Sequence, residues 1–338
     1  MKKKIFDVLI SIKARLSRLF KAAESDCQQP VATPPVEPLA PVANEETVNT
    51  HNEEFEAAQK SPLITRLIST KAAKVLQETR YFLIENQVNP RKIAYTVSGD
   101  LDAENILICL PGLLETKASF AVIHAYFLRF DNCKVISVDF SGRGDSDYIG
   151  SGDYKMSLYL SDISELIRGV ALGKEKMRQR ITILGTSMGG VLAMYLTQIF
   201  GKKIDGIILN DIALTVNWAS LYALYKSMRN ELGFRETREL AKELSVDQKA
   251  ISDAQLPSHF DLSYQADIWG MNFHESLENF KGKVALIYGA DSKICTKQRV
   301  QDARSYIPHM QTLEVPNAGH PAPFNLLVCD FIQSQMGV

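Results

Sequence analysis

From residue 61 onward, short apolar runs alternate with stretches in which apolar positions recur at helical spacing. The runs NILICLPG (105–112), KVISVDF (134–140), ITILG (181–185) and IDGIILND (204–211) are separated by helical patterns near 117–129, 155–172 and 188–200. Runs of this length, bounded by turn residues, predict strands buried on both faces, and their alternation with helices predicts βαβ units in a mostly parallel sheet. Ahead of them, SPLITRLISTKAAKVLQETR (61–80) reads as a helix, and YFLIENQ (81–87) and KIAYTVSG (92–99) read as strands. The alternation stops between about 214 and 275, where the pattern predicts several helices with polar connections. It resumes with KVALIYG (283–289), a helix near 296–304, QTLEVPNAG (311–319) and a final helix. The fold class is therefore α/β, and the helical insertion reads as a cap over the carboxyl ends of the strands, where such sheets bind ligands.

Two segments precede this domain. Ile5, Leu9, Ile12, Leu16 and Phe20 recur at helical spacing among seven lysines and arginines, so residues 1–26 predict a basic amphipathic helix. Residues 1–21 then admit two readings: a peripheral anchor on the anionic inner face of a membrane, or a helix with no partner. Asp7, Lys13 and Arg15 interrupt the apolar segment, which disfavours a secretory signal and points to a cytoplasmic protein. Residues 27–60 are rich in proline and acidic side chains and poor in aromatics, the composition of a disordered linker. The domain reading is thus a helix over 1–26, a linker over 27–60, and an α/β domain over 61–338 with its cap at about 214–275.

Composition narrows the chemistry. A formal net charge of −1 gives no reason to expect nucleic acid as a partner. The five cysteines (Cys27, Cys109, Cys133, Cys295 and Cys329) are scattered and odd in number, and neither they nor the six histidines have the spacing of a metal site. The expectation is a reduced compartment, no disulfide framework and no metal.

The stretch ITILGTSMGG (181–190) places Gly185, Ser187 and Gly189 in the pattern G-x-S-x-G, between a predicted strand and a predicted helix. A nucleophilic serine on a tight strand-to-helix turn needs small neighbours, and the helix amino terminus favours the negative charge that develops there. A serine hydroxyl also needs a base. His320, in the NAGH that follows the last predicted strand, is well placed for it, whereas His51 lies in the linker, His124 in a helix, His259 and His274 in the cap region and His309 ahead of a strand.

With these residues in hand, the chain from about residue 78 to its end resembles the α/β-hydrolase superfamily, in particular its capped bacterial branch of carboxylesterases and carbon–carbon bond hydrolases. VISVDFSGRGDSD (135–147), LGTSMGG (184–190), LNDIA (209–213), YGADSKI (288–294) and GHPAP (319–323) are similar to that family's blocks, in the same order. The resemblance implies an α/β-hydrolase fold and an acyl-enzyme on Ser187, with His320 as general base and the backbone N–H groups of Leu113 and Met188 as the oxyanion hole. It implies no cofactor and a small-molecule ester, thioester or lactone as substrate. A serine at the elbow excludes the carboxylate-nucleophile members. Two other readings stay open: a carbon–carbon hydrolase or acyltransferase with the same serine, and an inactive fold acting as a membrane-tethered binding protein.

The sequence departs from the family pattern twice. Pro111-Gly112 stands where members commonly carry His-Gly, which bears on the geometry of the loop presenting Leu113. In the acid loop, the position three residues after Gly289 is Ser292, and Asp291 stands one residue early. Asp211, at the end of the preceding strand, is the other place from which this fold supplies an acid. The reading favours Asp211, with Ser292 as an auxiliary hydrogen-bond partner, and keeps Asp291 as the alternative. Arg143-Gly144-Asp145 reads as a tight structural loop rather than an adhesion motif. In the cap, the stripe Trp218, Leu221, Tyr222, Tyr225, Met228 and Phe234, with Trp269 and Phe273, reads as core packing that also offers walls for an apolar pocket.

Overall fold

The computed structural model describes residues 75–85, 90–113, 115–149, 154–172, 179–217 and 270–338. The predicted amphipathic helix, the linker, residues 61–74 and most of the cap, including every residue of its aromatic stripe except Phe273, lie outside the described residues.

Ten strands are described: β1 (Val75–Ile84), β2 (Arg91–Gly99), β3 (Asn105–Leu110), β4 (Cys133–Val138), β5 (Arg180–Thr186), β6 (Gly206–Asn210), β7 (Thr215–Asn217), β8 (Gly270–Asn272), β9 (Lys283–Gly289) and β10 (Gln311–Val315). The helices are α1 (Ala121–Phe127), α2 (Met156–Leu166), α3 (Met188–Phe200), α4 (His274–Glu278), α5 (Lys297–Tyr306) and α6 (Leu326–Met336). Eight strands form one sheet in the order β1-β2-β4-β3-β5-β6-β9-β10. From β4 to β10 all neighbours are parallel, while β1–β2 and β2–β4 are antiparallel. This is the mostly parallel α/β sheet expected from the alternation, and the α/β-hydrolase fold that the resemblance implies.

The central strands alternate between two cores because successive side chains point to opposite faces. Ile106, Ile108, Ile181, Ile183, Ile207 and Leu209 join α2 and α3 on one face. Leu107, Cys109, Leu184, Ile208, Ala285 and Ile287 join α1 and α6 on the other. Eleven of the thirteen residues of α3 are buried, nearly all of them apolar, as suits a helix largely enclosed by the protein. Each fully buried Leu, Ile or Met there contributes about 1.5–3 kcal/mol relative to exposure.

Two readings of the pattern need correction. Residues 75–80, assigned to a helix, belong to β1, whose register runs from Val75 opposite Gly99 to Ile84 opposite Arg91. The segment VLQETR is made of good helix formers, but a partly exposed edge strand asks little of its side chains, and backbone pairing with β2 overrides that preference. The predicted cap also holds strands near both of its described ends. Thr215, Val216 and Asn217 pair antiparallel with Asn272, Met271 and Gly270, so a short two-stranded ladder closes the base of the insertion.

Register positions the site. Leu110 lies opposite Gly185, Thr186 opposite Asn210, and Asn210 opposite Ile287. The loops after β3, β5, β6 and β9 therefore leave the sheet side by side at its carboxyl edge. The chain passes from β3 to β4 on one side and returns to β5 on the other, which opens the crevice used for ligands in sheets of this kind.

Candidate active site

Ser187 bridges β5 and α3 with φ 49° and ψ −112°, a backbone conformation that costs a non-glycine residue about 1–3 kcal/mol and is held only by its surroundings. Those surroundings explain the glycines. A Cβ on Gly185 would lie 2.4 Å from the Gly189 carbonyl oxygen, and one on Gly189 would lie 2.1 Å from the Leu110 oxygen. On Gly190 it would meet Ile212 Cγ2 at 2.3 Å. The absence of side chains at these three positions lets α3 press its amino terminus against the end of β3. The Ser187 N–H donates to the Asn210 carbonyl at 2.9 Å, which ties the bend to β6.

His320 arrives on the loop after β10, 133 residues along the chain, and its Nε2 stands 3.0 Å from Ser187 Oγ. The ring is 4% exposed. Its loop is held in place from below, where Asn210 Nδ2 donates to the Ala322 carbonyl at 3.0 Å. Gly289 lets the loop pass over the end of β9, since a Cβ there would lie 2.3 Å from the carbonyl oxygens of Ala318 and Gly319.

The ring's other nitrogen, Nδ1, faces Asp211 Oδ1 at 3.5 Å. Asp211 follows β6 with φ 60°, is fully buried, and accepts the Gly289 N–H on Oδ2 at 3.2 Å. Neither Nδ1 nor Oδ1 has a closer hydrogen-bond partner among the described residues. A carboxylate oxygen facing Nδ1 favours the tautomer with its proton on Nδ1, which leaves the Nε2 lone pair for the serine hydroxyl.

The alternative acid is placed elsewhere. The Asp291 side chain is exposed, and the described contact of that residue is its backbone N–H donating to Ala318 O at 2.9 Å. Ser292 is buried, but its Oγ accepts the backbone N–H groups of Ile294 at 3.3 Å and Cys295 at 3.0 Å. It thus caps its own loop and is not brought to His320 or Asp211 by a described hydrogen bond. Cys295 is fully buried, and burial together with the charge of Asp211 pushes its thiol well above the usual range, which leaves it unreactive.

Met188 follows the serine at the start of α3, and Leu113 follows Gly112 on the loop after β3. A Cβ on Gly112 would lie 3.5 Å from Ser187 Cβ, and Gly189 packs on the Leu110 and Pro111 carbonyls, so the loop after β3 lies against the elbow. Among the described residues neither the Leu113 N–H nor the Met188 N–H has an internal acceptor. Two unused backbone donors beside a serine at a helix amino terminus can receive a developing oxyanion.

The remaining motifs settle into structure. Arg143 is 2% exposed, and a Cβ on Gly144 would strike the Asp139 carboxylate at 2.1 Å, so the Arg-Gly-Asp triplet is a packed loop. Lys117 Nζ reaches that same carboxylate at 2.6 Å. His124 is buried between Ser98 Oγ on Nδ1 (2.7 Å) and Ser137 Oγ on Nε2 (2.8 Å). Because Ser137 donates to Lys117 O at 3.2 Å, His124 must donate from Nε2 and accept on Nδ1. Burial lowers its pKa to about 4. His274 and His309 lie away from Ser187 on α4 and ahead of β10, and Phe273 packs edge-on against Tyr195 at 4.8 Å as core. Among the described residues no group of His, Cys, Asp or Glu is arranged to hold a metal ion, and no helix is long and apolar enough to cross a membrane.

Comparison with known proteins agrees with this architecture. The chain is 22% identical over 271 residues to the 3-hydroxybutyrate-oligomer hydrolase of Cupriavidus necator, an alignment covering 69% of this chain and 88% of that protein. Among solved structures it is similar to an alpha/beta hydrolase from Novosphingobium aromaticivorans, with TM-score 0.60 and 21% identity over 78% of this chain and 99% of that one. It is also similar to an esterase from a Rhodococcus species, with TM-score 0.58 and 17% identity over 77% of this chain and 98% of the other. The model of the alpha/beta hydrolase family matches residues 107–326, a span that contains Leu113, Ser187, Asp211 and His320. With more than half of its length inside that match, the protein belongs to the alpha/beta hydrolase family.

Proposed function

We propose that the protein is a serine hydrolase that cleaves a carboxylic ester, thioester or lactone through an acyl-enzyme on Ser187, with His320 as general base and Asp211 as the carboxylate that orients it. The observation that carries this reading is the 3.0 Å approach of His320 Nε2 to the hydroxyl of a serine in a strained backbone conformation. A chain that used this fold only to bind a partner would have no reason to keep that strain or to bury an imidazole against a carboxylate.

In the proposed reaction, Ser187 Oγ attacks the substrate carbonyl carbon while its proton passes to His320 Nε2. Asp211, 3.5 Å from Nδ1, stabilises the imidazolium that forms. The N–H groups of Leu113 and Met188 take the oxyanion. Collapse of the tetrahedral species breaks the bond to the leaving oxygen or sulfur, which leaves with the proton held on Nε2. Water then repeats the sequence on the acyl-enzyme, giving up a proton to His320 and releasing the acid. The chemistry calls for no cofactor. The Cupriavidus relative acts, by its name, on oligomers of 3-hydroxybutyrate, in which the units are joined by carboxylic esters, and that linkage is included in the proposed substrate class.

The test is hydrolysis of p-nitrophenyl esters of increasing acyl length, by the full chain and by Ser187→Ala. The proposal expects a burst of p-nitrophenol equal to the enzyme concentration, followed by steady turnover, both lost in the alanine variant. Absence of turnover across the panel, or turnover that survives in S187A, contradicts it.

A further inference from the structure

A backbone N–H can hold an oxyanion only if its peptide plane is fixed, and the loop after β3 has no strand or helix to fix it. The N–H of Leu113 and the carbonyl of Gly112 belong to one planar peptide and point in opposite directions, so whatever holds the Gly112 oxygen aims the Leu113 N–H. Two buried side chains from different parts of the chain grip this peptide and its neighbours. Arg143, from the loop after β4, donates from Nη1 to the Leu113 carbonyl and lies 3.4 Å from the Gly112 carbonyl, spanning two consecutive peptides. Glu115 accepts the Gly112 N–H on Oε2 at 2.7 Å, while its own N–H donates back to the Gly112 oxygen at 3.2 Å. Glu115, Arg143 and Leu113 are 6%, 2% and 7% exposed, so water does not compete for these bonds.

Arg143 is itself held rigidly. Its Nη2 donates to the Tyr159 hydroxyl at 3.3 Å, and the guanidinium lies over the rings of Tyr159 (5.4 Å) and Phe140 (5.9 Å). The turn that carries it is closed by the Arg143 N–H donating to the Phe140 carbonyl at 3.0 Å and by the Asp145 N–H donating to Asp139 Oδ2 at 2.9 Å. A cation against the Gly112 carbonyl also polarises that amide, which makes the N–H at its other end a stronger donor.

We propose that Arg143 and Glu115 are positioning residues of the reaction: together they clamp the Pro111–Leu113 loop so that the Leu113 N–H faces the oxyanion formed at Ser187. This rests on the reading of Ser187 as the nucleophile. Neither side chain touches the reacting atoms in the proposal. Both act through the Leu113 peptide.

The experiment compares the full chain with Arg143→Met, Arg143→Lys, Glu115→Ala and Glu115→Gln. For each, it measures kcat and KM on a p-nitrophenyl ester, the inhibition constant of a trifluoromethyl ketone whose hemiketal oxyanion occupies the hole, and the unfolding temperature. Loss of one oxyanion donor lowers kcat by about 10²–10³-fold. R143M and E115A are therefore expected to lose about 10²-fold in kcat with KM within about threefold, and to weaken the ketone by a similar factor. R143K is expected to recover part of the loss, because an ammonium reaches one carbonyl but not two, and E115Q most of it, because its amide oxygen still accepts the Gly112 N–H. A merely structural role would lower the unfolding temperature without moving the ratio of ketone affinity to KM. Folded R143M and E115A with wild-type kcat, or with that ratio unchanged, overturn the clamp; if neither folds, R143K decides, and an unchanged ratio there overturns it. A wild-type chain that neither turns over esters nor binds the ketone removes the serine-hydrolase reading, and the clamp with it.

Discussion

Replacing Asp211 by asparagine tests the proposed orienting role with almost no change in volume. In the proposed reaction His320 becomes an imidazolium 3.5 Å from the Asp211 carboxylate. At an effective dielectric constant of about 20, opposite unit charges at that distance attract by about 5 kcal/mol, or roughly three and a half powers of ten in rate. Asparagine adds a second effect. Its oxygen can keep the bond that Oδ2 accepts from the Gly289 N–H at 3.2 Å, which turns the amide NH2 toward Nδ1. Nδ1 must then accept, the ring proton moves to Nε2, and Nε2 can no longer take the serine proton. In the chymotrypsin-type triad the corresponding change costs about 10⁴ in kcat, so D211N is expected to lose about 10³–10⁴ in kcat with KM within about threefold. Steady-state kinetics on a p-nitrophenyl ester, with the unfolding temperature as a check on folding, measures this. Asp291→Asn, altering an exposed side chain, is expected to stay within about twofold of wild type. A D211N enzyme within tenfold of wild type, or a D291N enzyme as damaged as D211N should be, would refute the argument.

Three further outcomes follow from the same reasoning. The folded-state pKa of His124, about 4, lies below the usual 6.5, so its contribution to stability is intact above pH 6.5 and is lost as pH falls toward 4. This amounts to about 3 kcal/mol, and chemical denaturation should show His124→Gln losing that much less than wild type between pH 7 and 4. Gly189→Ala forces a Cβ to 2.1 Å from a backbone oxygen and should abolish soluble expression, whereas Gly201→Ala, with φ 53° and open space, should cost about 1–3 kcal/mol on a denaturation curve. If residues 1–21 anchor the protein on an anionic membrane face, deleting them should abolish cosedimentation with anionic liposomes and leave ester hydrolysis intact; full-length binding that is insensitive to salt would count against the electrostatic part of that reading.

The parts of the fold that were legible in the sequence are those where burial dictates residue type. β9 begins and ends where KVALIYG predicts, and α3 spans the predicted 188–200, because enclosed elements tolerate only apolar or small residues. The approach of His320 to Ser187 was legible for a related reason: the turn demands glycines at fixed offsets, and the histidine follows the last strand. The edge strand β1 was not, because six of its ten residues are exposed and its identity depends on pairing with β2. The three-residue strands β7 and β8 carry too few positions to show any period. The proposed acid stayed ambiguous in the sequence because Asp211 and Asp291 both satisfy the chain order. What separates them is an adverse φ at one position and exposure at the other, and neither is written in residue type. Arg143 and Glu115 are 28 residues apart, and their shared contact with one peptide exists only after β3 and β4 pair.

The claim beneath all of this is that one hydroxyl is activated by one imidazole. Reaction of the full-length protein with a fluorophosphonate, followed by peptide mass spectrometry, tests it most directly. The account expects a single adduct on Ser187, absent in S187A and formed at least about 10³-fold more slowly in H320A. An unlabelled Ser187, or labelling whose rate does not depend on His320, would contradict it.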